Sequence, residues 1–246
     1  MTDPFTLTVV CLTFAIAGCV KGVVGLGLPT VAIGLLATVM APAQAAALLV
    51  IPTLVTNLWQ LTGPGLTALL RRLWTMLAGI CVGTWAGAGT LTADASGRAR
   101  AALGLALIAF ALLGLSPVRL KVSSRAEPWL APAIGVATGL VTAATGVQAI
   151  PAVPYLQALG LPRDALVQAL GLSFTVSSLA LGADLVSAGA LETSVALVSL
   201  IALAPALIGM ALGQRLRGRF PEDTFRVCFL VGLIVLGAHL LLRAVL

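Results

Sequence analysis

Charged residues are scarce in this chain of 246 residues: Asp, Glu, Lys and Arg together make up only 9% of it. Ordinary soluble domains contain about a quarter. No Asp, Glu, Lys, Arg or His occurs between Lys21 and Arg71, although about 20 apolar residues are enough to cross the core of a bilayer. These values exclude a water-soluble domain. Because ten-residue segments of alternating polarity are also missing, the sequence predicts an all-α integral membrane protein.

Catalytic and metal-binding patterns are missing too. The four cysteines lie in apolar segments without a Cys-x-x-Cys pair, which predicts buried thiols rather than ligands. There is one histidine, and the sequence shows no nucleophile–base pair and no Walker motif. We therefore expect no enzymatic activity, no metal site and no cofactor, and the lack of Lys or Arg before Lys21 argues against a signal peptide. The cysteines are Cys11, Cys19, Cys81 and Cys228.

Ten apolar stretches follow one another along the chain, and two of the breaks between them are unusual. The breaks at 21–27 and 147–148 carry glycines and small or polar residues and have no long linker. A single helix over 5–40 would be about 54 Å long, too long for one crossing. We therefore expect 5–40 and 129–159 to form hairpins, either re-entrant or fully spanning, and the shortness of their arms favours the re-entrant form. The stretches are 5–20, 28–40, 43–63, 72–91, 98–116, 129–146, 149–159, 163–187, 190–213 and 223–245.

The formal net charge is +6, and its distribution predicts the orientation of the chain. If both hairpins return to the side on which they begin, ten basic residues fall on one side and three, Arg98, Arg100 and Arg243, on the other. The positive-inside rule then places the N-terminus in the periplasm and the loops near 71, 121 and 217 in the cytoplasm. This pattern also argues against a nucleic-acid partner. The ten are Arg71, Arg72, Arg119, Lys121, Arg125, Arg163, Arg215, Arg217, Arg219 and Arg226.

The two halves of the chain resemble each other weakly. GCVKGVVG at 18–25 aligns with GLVTAATG at 139–146, and PAQAAA at 42–47 aligns with PRDALV at 162–167. Each half would contain one hairpin and three helices, an odd number of crossings, so the second half is predicted to be inverted. Such inverted repeats with broken helices are a transporter architecture. The predicted repeats, within one membrane domain, are 1–120 with hairpin 5–40 and helices 43–63, 72–91 and 98–116, and 121–246 with hairpin 129–159 and helices 163–187, 190–213 and 223–245.

The two breaks also carry the candidate binding site. Pro29 and Pro151 follow them closely, and proline suits the first turn of a helix, so two helix N-termini are expected to meet near the midplane and attract an anion. Lys21 adds a full positive charge, whose burial costs roughly 2.5–3.5 kcal/mol; the alternatives are that it snorkels to an interface or pairs with Asp184. The predicted substrate-binding residues are Lys21, Gly22, Gly25, Gly27, Thr142, Thr145, Gly146 and Gln148. For the second break, capping of the hairpin is the alternative.

Other polar residues in apolar stretches are candidates for supporting roles. Four of them, on predicted helices of both halves, could line the same cavity, or could instead form hydrogen bonds between helices. Asp184 is a candidate for proton coupling, with capping of a loop as the alternative. The four cavity candidates are Asn57, Gln60, Gln168 and Ser173.

The motifs GxxKGxxGxGxP at 18–29 and GxxTxxTG at 139–146, in a chain of this length, resemble the sulfite exporter TauE/SafE family. The resemblance implies a bacterial inner-membrane permease that exports sulfite, sulfoacetate or related anions. Val147, Gln148 and Ala149 stand where many members have glycines. An anion channel or a non-transporting scaffold are the competing functions. The expected partners are a small anion and the lipid bilayer, and a homodimer is possible. Gradients across the membrane are expected to supply the energy for transport.

Overall fold

The computed structural model describes residues 3–62, 65–93, 97–116, 121–216 and 222–245, without the side chains of 222–224 and 245. Within these ranges the chain forms ten helices and no strand. Eight of the helices are long and apolar enough to cross a membrane, and only α2 and α7 are too short. The helices are α1 (Pro4–Val24), α2 (Leu28–Leu36), α3 (Pro42–Gln60), α4 (Leu66–Ala86), α5 (Arg98–Leu115), α6 (Glu127–Thr145), α7 (Ala152–Ala158), α8 (Arg163–Ser187), α9 (Thr193–Leu216) and α10 (Glu222–Val245).

Each predicted apolar stretch overlaps one of these helices, which confirms the all-helical membrane class. The largest difference in boundaries is at α4, which begins at Leu66 instead of residue 72. Gly65 is the N-cap of α4 and has a positive φ of 100°. Arg71 and Arg72 therefore lie inside the helix. A long basic side chain near the end of a membrane helix can still place its charged group at the interface between lipid and water.

The hairpins combine one long arm with one short arm, whereas the sequence favoured two short arms. α1 has 21 residues and α6 has 19, while the returning arms α2 and α7 have nine and seven. α1 continues through Lys21, because the N–H of Gly25 still donates to the carbonyl of Lys21 at 2.8 Å. The break comes only at Gly25 and Gly27, whose φ values of 85° and 106° few other residues adopt.

Close backbone contacts between glycine-rich helix faces hold the bundle together. A Cβ atom added at Gly18 of α1 would lie 2.2 Å from the carbonyl oxygen of Ala206 on α9. A Cβ added at Gly83 of α4 would lie 2.1 Å from the carbonyl oxygen of Val136 on α6. Small residues four apart allow such approaches between membrane helices. The pairs α1 with α9 and α4 with α6 therefore depend on glycine.

The same contacts give the directions of the helices. Gly18 and Gly22 on α1 face Ala206 and Met210 on α9 in the same order, so these two helices run parallel. On α4 and α6 the residue numbers of the contacts also rise together: Gly79 lies against Pro132, and Gly87 lies against Ala143. This pair is therefore parallel as well.

Two further pairs run antiparallel. Gly171 of α8 lies against Gln60 of α3, and Gly182 lies against Val50, so the contact numbers rise on one helix and fall on the other. α5 and α10 are arranged in the same way, since Gly104 lies against Leu241 and Gly114 lies against Leu230.

The expectation of buried thiols is wrong for part of the set. Cys81 and Cys228 are exposed, and Cys11 and Cys19 are only partly buried; all four are free. In a membrane protein an apolar stretch has both a core face and a lipid face, so an apolar context alone does not predict burial.

Candidate functional site

A cavity of about 810 Å³ lies where the end of α1, the end of α3 and the beginnings of α4 and α8 meet. This volume is within the usual range for small-molecule sites, roughly 300–1,000 Å³. The cavity lies on the side of the bundle that the charge distribution predicts to be cytoplasmic. Its lining includes Lys21, Gly22, Gly25, Gln60, Gly65, Arg72, Arg163, Asp164, Gln168, Met210 and Gln214.

Lys21 contributes a buried positive charge to this cavity. The residue is 2% exposed, and its ammonium donates to Thr56 Oγ1 at 3.0 Å and to Asn57 Oδ1. Thr56 in turn donates to the carbonyl of Pro52 at 2.7 Å, which fixes its lone pairs toward Lys21. Among the described residues no carboxylate pairs with Lys21. Since an ammonium has three N–H donors, two neutral acceptors leave one donor and the whole charge for a ligand.

The first hairpin tip is fastened to α3 beside this lysine. Gln60 Nε2 donates to the carbonyl of Gly25 at 2.8 Å, and Gly22 and Gly25 both line the cavity. Gly27 does not: a Cβ added there would lie 3.2 Å from the ring of Phe229. The structure therefore brings Lys21, Gly22 and Gly25 together at one cavity and turns Gly27 toward α10.

Two helix beginnings at the cavity were missed by the sequence reasoning. Pro162, the N-cap of α8, lines it together with the first three residues of that helix, and so do Gly65, the N-cap of α4, and Ala68 in its first turn. No side chain among the described residues caps either helix, so first-turn N–H groups and the positive ends of two helix dipoles lie beside the cavity. Both features favour an anion. The proline and glycine that open these helices, at 162 and 65, were the available signals.

An ion pair stands at the mouth of the cavity. The guanidinium of Arg72 donates to both carboxylate oxygens of Glu127, at 2.6 and 2.8 Å, and so joins α4 to α6. Arg72 also lines the cavity. The partners are 55 positions apart in the sequence, and no local pattern connects them.

The second hairpin tip does not line this cavity. Thr142 and Thr145 donate to the carbonyls of Thr138 and Val141, at 2.8 and 2.6 Å, one helical turn earlier. Gln148 exchanges hydrogen bonds with the hydroxyl of Ser178 at 3.0 and 3.2 Å.

The two tips lie at opposite ends of α3. A Cβ added at Gly146 would meet the side chains of Ile33 and Ala46, whereas the first tip contacts Gln60. Fourteen residues of α3 separate Ala46 from Gln60, which is about 21 Å along the helix. In this conformation the predicted site residues therefore form two groups rather than one.

The remaining candidates divide in the same way. Asn57 and Gln60 belong to the first group through their hydrogen bonds, and Gln168 lines the same cavity. Ser173 is buried and its hydroxyl has no hydrogen-bond partner among the described residues. Asp184 lies at the far end of α8, where its Oδ1 accepts from the N–H of Gly89 at 3.1 Å. Within the same ranges no group of three or more His, Cys, Asp and Glu side chains could hold a metal ion.

Comparison with known proteins gives one match. A family model described as Sulfite exporter TauE/SafE matches residues 10–240, nearly the whole chain. The matched range contains both hairpin tips and the entire lining of the cavity. No curated protein and no solved structure shows a significant match.

Proposed function

Because the chain belongs to the sulfite exporter TauE/SafE family, we propose that it is a secondary transporter that exports a small anion across the bacterial inner membrane. The proposed cargo is sulfite, sulfoacetate or another organosulfonate or small organic anion. The observation that carries the proposal is the ammonium of Lys21, buried at a cavity and held by two neutral oxygens.

The charge of Lys21 has a cost that a bound anion offsets. Taking an ammonium out of water costs several kcal/mol unless an opposite charge compensates it. Thr56 and Asn57 supply dipoles but no charge, so the compensating charge must come from a ligand. A lysine is a point charge on a flexible stem and binds oxyanions of various shapes, which suits a family of related sulfur-containing anions.

The surroundings of the cavity support entry of an anion from the basic side. Arg72 and Arg163 lie in its lining together with one carboxylate, Asp164, and two uncapped helix N-termini face it. A cleft lined mainly by positive charge raises the local concentration of anions. We take this opening as the cytoplasmic entrance, in agreement with the predicted periplasmic position of the N-terminus.

We further propose that residues 1–120 and 121–246 are inverted repeats, which would give the alternating access that a carrier needs. The packing of the helices supports this. α1 of the first half packs on α9 of the second half, and the equivalent helices, α6 of the second half and α4 of the first, also pack on each other. α1 is parallel to α9, and α3 is antiparallel to α8. Since helices joined by short connections run in opposite directions, α6 then runs opposite to α1. The second tip, with Thr142, Thr145, Gly146 and Gln148, would line the outward-facing route.

The test is anion flux in liposomes reconstituted with the purified protein. Lys21→Met keeps the length and apolar stem of the side chain and removes its charge, so we expect saturable uptake of sulfite and sulfoacetate to fall to the level of protein-free liposomes. Lys121→Met is the matched control, because Lys121 is exposed and this variant should transport like the wild type. Full transport by Lys21→Met would overturn the proposed site.

The same liposomes separate the competing functions. A carrier exchanges labelled anion against unlabelled anion on the other side, whereas a channel gives unitary currents without such counterflow. If the wild type moves none of a broad panel of anions and co-purifies with a stable partner, the scaffold is the better description.

A further inference from the structure

Three buried oxygen atoms with no hydrogen-bond partner in the described part of the chain lie on one face of α8, outside the lining of the cavity. Ser173, Ser177 and Asp184 occupy positions i, i+4 and i+11, which fall on one side of a helix. Ser173 and Ser177 are 0% exposed and Asp184 is 7% exposed. The two hydroxyls and the Oδ2 atom of Asp184 have no hydrogen-bond partner among the described residues.

This face is distinct from the face that α8 turns toward α3. The glycines that contact α3 are Gly171 and Gly182. Gly171 precedes Ser173 by two residues and Gly182 follows Ser177 by five, so both glycines point to another side of the helix. The N–H of Gly89, just after α4, donates to Asp184. The polar face therefore lies on the side of α4.

The carboxylate of Asp184 has no positively charged partner among the residues that the structure describes. Only one N–H reaches it, at 3.1 Å, and it forms no ion pair within the described part of the chain. A buried carboxylate in this situation is costly. In membrane proteins such residues face the interior of the bundle and mark ion or proton routes.

The elements packed against α8 supply no cation near Asp184. α3 contains no titratable side chain, and α7 contributes only Tyr155. On α4, Arg71 and Arg72 lie in the second turn, about 21 Å along the helix from Ala86, and Cys81 is exposed. α6 contributes Glu127, which is bonded to Arg72.

The basic residues that are predicted to lie on the same side of the membrane as Asp184 do not pair with it either. Arg98 and Arg100 belong to α5, and neither forms an ion pair with Asp184. Arg243, at the end of α10, donates to the carbonyl of Thr38 at 3.4 Å.

We propose that Asp184 binds and releases the proton whose movement is coupled to anion transport, and that Ser177 and Ser173 line its path along α8 toward the end of the bundle where the Lys21 cavity lies. This inference rests on the proposed transport function. The step is reversible: the Asp184 carboxylate takes up one proton at Oδ2 to become the neutral acid, and later returns that proton to water on the other side.

The spacing of the oxygens favours a proton over a metal cation. Ser177 and Asp184 are seven residues apart, which is about 10.5 Å along the helix. Oxygen ligands of one hard cation lie roughly 2–2.6 Å from it, and so within about 5 Å of one another. Serine hydroxyls can both donate and accept, as a proton path requires, and the face is spread along the helix instead of gathered around a point.

The experiment measures protons and anions in the same liposomes. Sulfoacetate is the probe, because it carries no group that titrates near neutral pH and any proton movement must then pass through the protein. In the wild type we expect sulfoacetate flux to be accompanied by a change in the internal pH. Asp184→Asn keeps the Oδ1 acceptor for Gly89 and cannot ionise, so it should exchange labelled for unlabelled sulfoacetate while its proton movement is lost.

Two further variants complete the test. Glu192→Gln removes an exposed carboxylate near the same end of the bundle and should behave like the wild type. Ser177→Ala removes a hydroxyl that has no hydrogen-bond partner among the described residues, so we expect the fold to be retained. It should slow the proton-coupled flux while leaving exchange unchanged. This variant decides the matter if Asp184→Asn does not fold.

The outcomes separate the two proposals. Sulfoacetate flux in the wild type without any pH change, or flux that depends on a sodium gradient instead, overturns the coupling and leaves the transport function intact. Unchanged proton movement in Asp184→Asn, or unchanged coupled flux in Ser177→Ala, also overturns it. A wild type that moves no anion at all overturns both.

Discussion

Asn57 is the residue whose chemistry decides whether the charge of Lys21 is available. Its Oδ1 accepts from the ammonium, and its Nδ2 has no partner among the described residues. Asn57→Asp keeps the shape of the side chain and places a carboxylate against Lys21. An entering anion must then compete with a resident one, so we expect its affinity to fall by about tenfold or more, which corresponds to about 1.4 kcal/mol.

The measurement for Asn57→Asp is the anion-induced shift of the melting temperature in detergent, together with the KM of flux. The variant should fold, because an ion pair replaces a charge–dipole contact, and it should lose the anion-induced shift. Gln157→Glu is the control, since it adds the same charge at an exposed position on α7. A normal anion response in Asn57→Asp would show that Lys21 does not hold the ligand.

At the residue scale the sequence predicts which side chains matter more readily than it predicts their contacts. Lys21, Asn57 and Gln60 stand out because each is polar within an apolar stretch. That the ammonium of Lys21 meets Asn57 depends on how α1 and α3 are placed against each other, which no local pattern contains. The pairing of Arg72 with Glu127 was missed for the same reason.

At the element scale the glycine-lined pairs carry the architecture. A methyl group added at Gly83 would lie 2.1 Å from the carbonyl oxygen of Val136, a backbone atom that cannot move aside. Gly83→Ala should therefore force α4 and α6 apart and lower the free energy of unfolding by about 1–3 kcal/mol, as overpacking does. Thermal unfolding in detergent measures this change.

Gly232→Ala is the matched control within a helix. It lies in α10, and nothing is within 4 Å of the position that its Cβ would take. Alanine is the better helix former by about 0.8–1.0 kcal/mol, so this variant should be as stable as the wild type or more so. Equal melting temperatures for Gly83→Ala and Gly232→Ala would contradict the proposed role of the glycines.

Element existence was predictable because the apolar stretches are long and their interruptions are clear. The asymmetry of the hairpins was not, since a lysine and a glycine in an apolar run suggested a break where α1 in fact continues to Val24. The helical hydrogen bond from Gly25 to Lys21 persists, and the ammonium of Lys21 is held by Thr56 and Asn57 of α3. Burial of this kind is a property of the packed bundle and is absent from the local sequence.

At the scale of the whole molecule, the directions of the helices predict where the chain begins and ends. α9 runs parallel to α1, and α10 follows α9 after a short connection, so α10 ends on the side where α1 begins. The cavity, with Arg72 and Arg163, opens on the opposite side. Together with the charge distribution, this predicts that both ends of the described chain lie in the periplasm.

Topology reporters test this prediction in cells. Alkaline phosphatase, which is active only outside the cytoplasm, should be active when fused before α1 or after α10, and inactive when inserted between α5 and α6. A fluorescent protein that matures only in the cytoplasm should give the reverse pattern. Active phosphatase at one end only would mean an odd number of crossings, and the second half would then not be inverted.

Active phosphatase between α5 and α6, with both ends inactive, would instead keep the inverted repeat and reverse the orientation of the protein in the membrane. The cavity of Lys21 would then face the periplasm, and the direction of transport proposed here would be wrong.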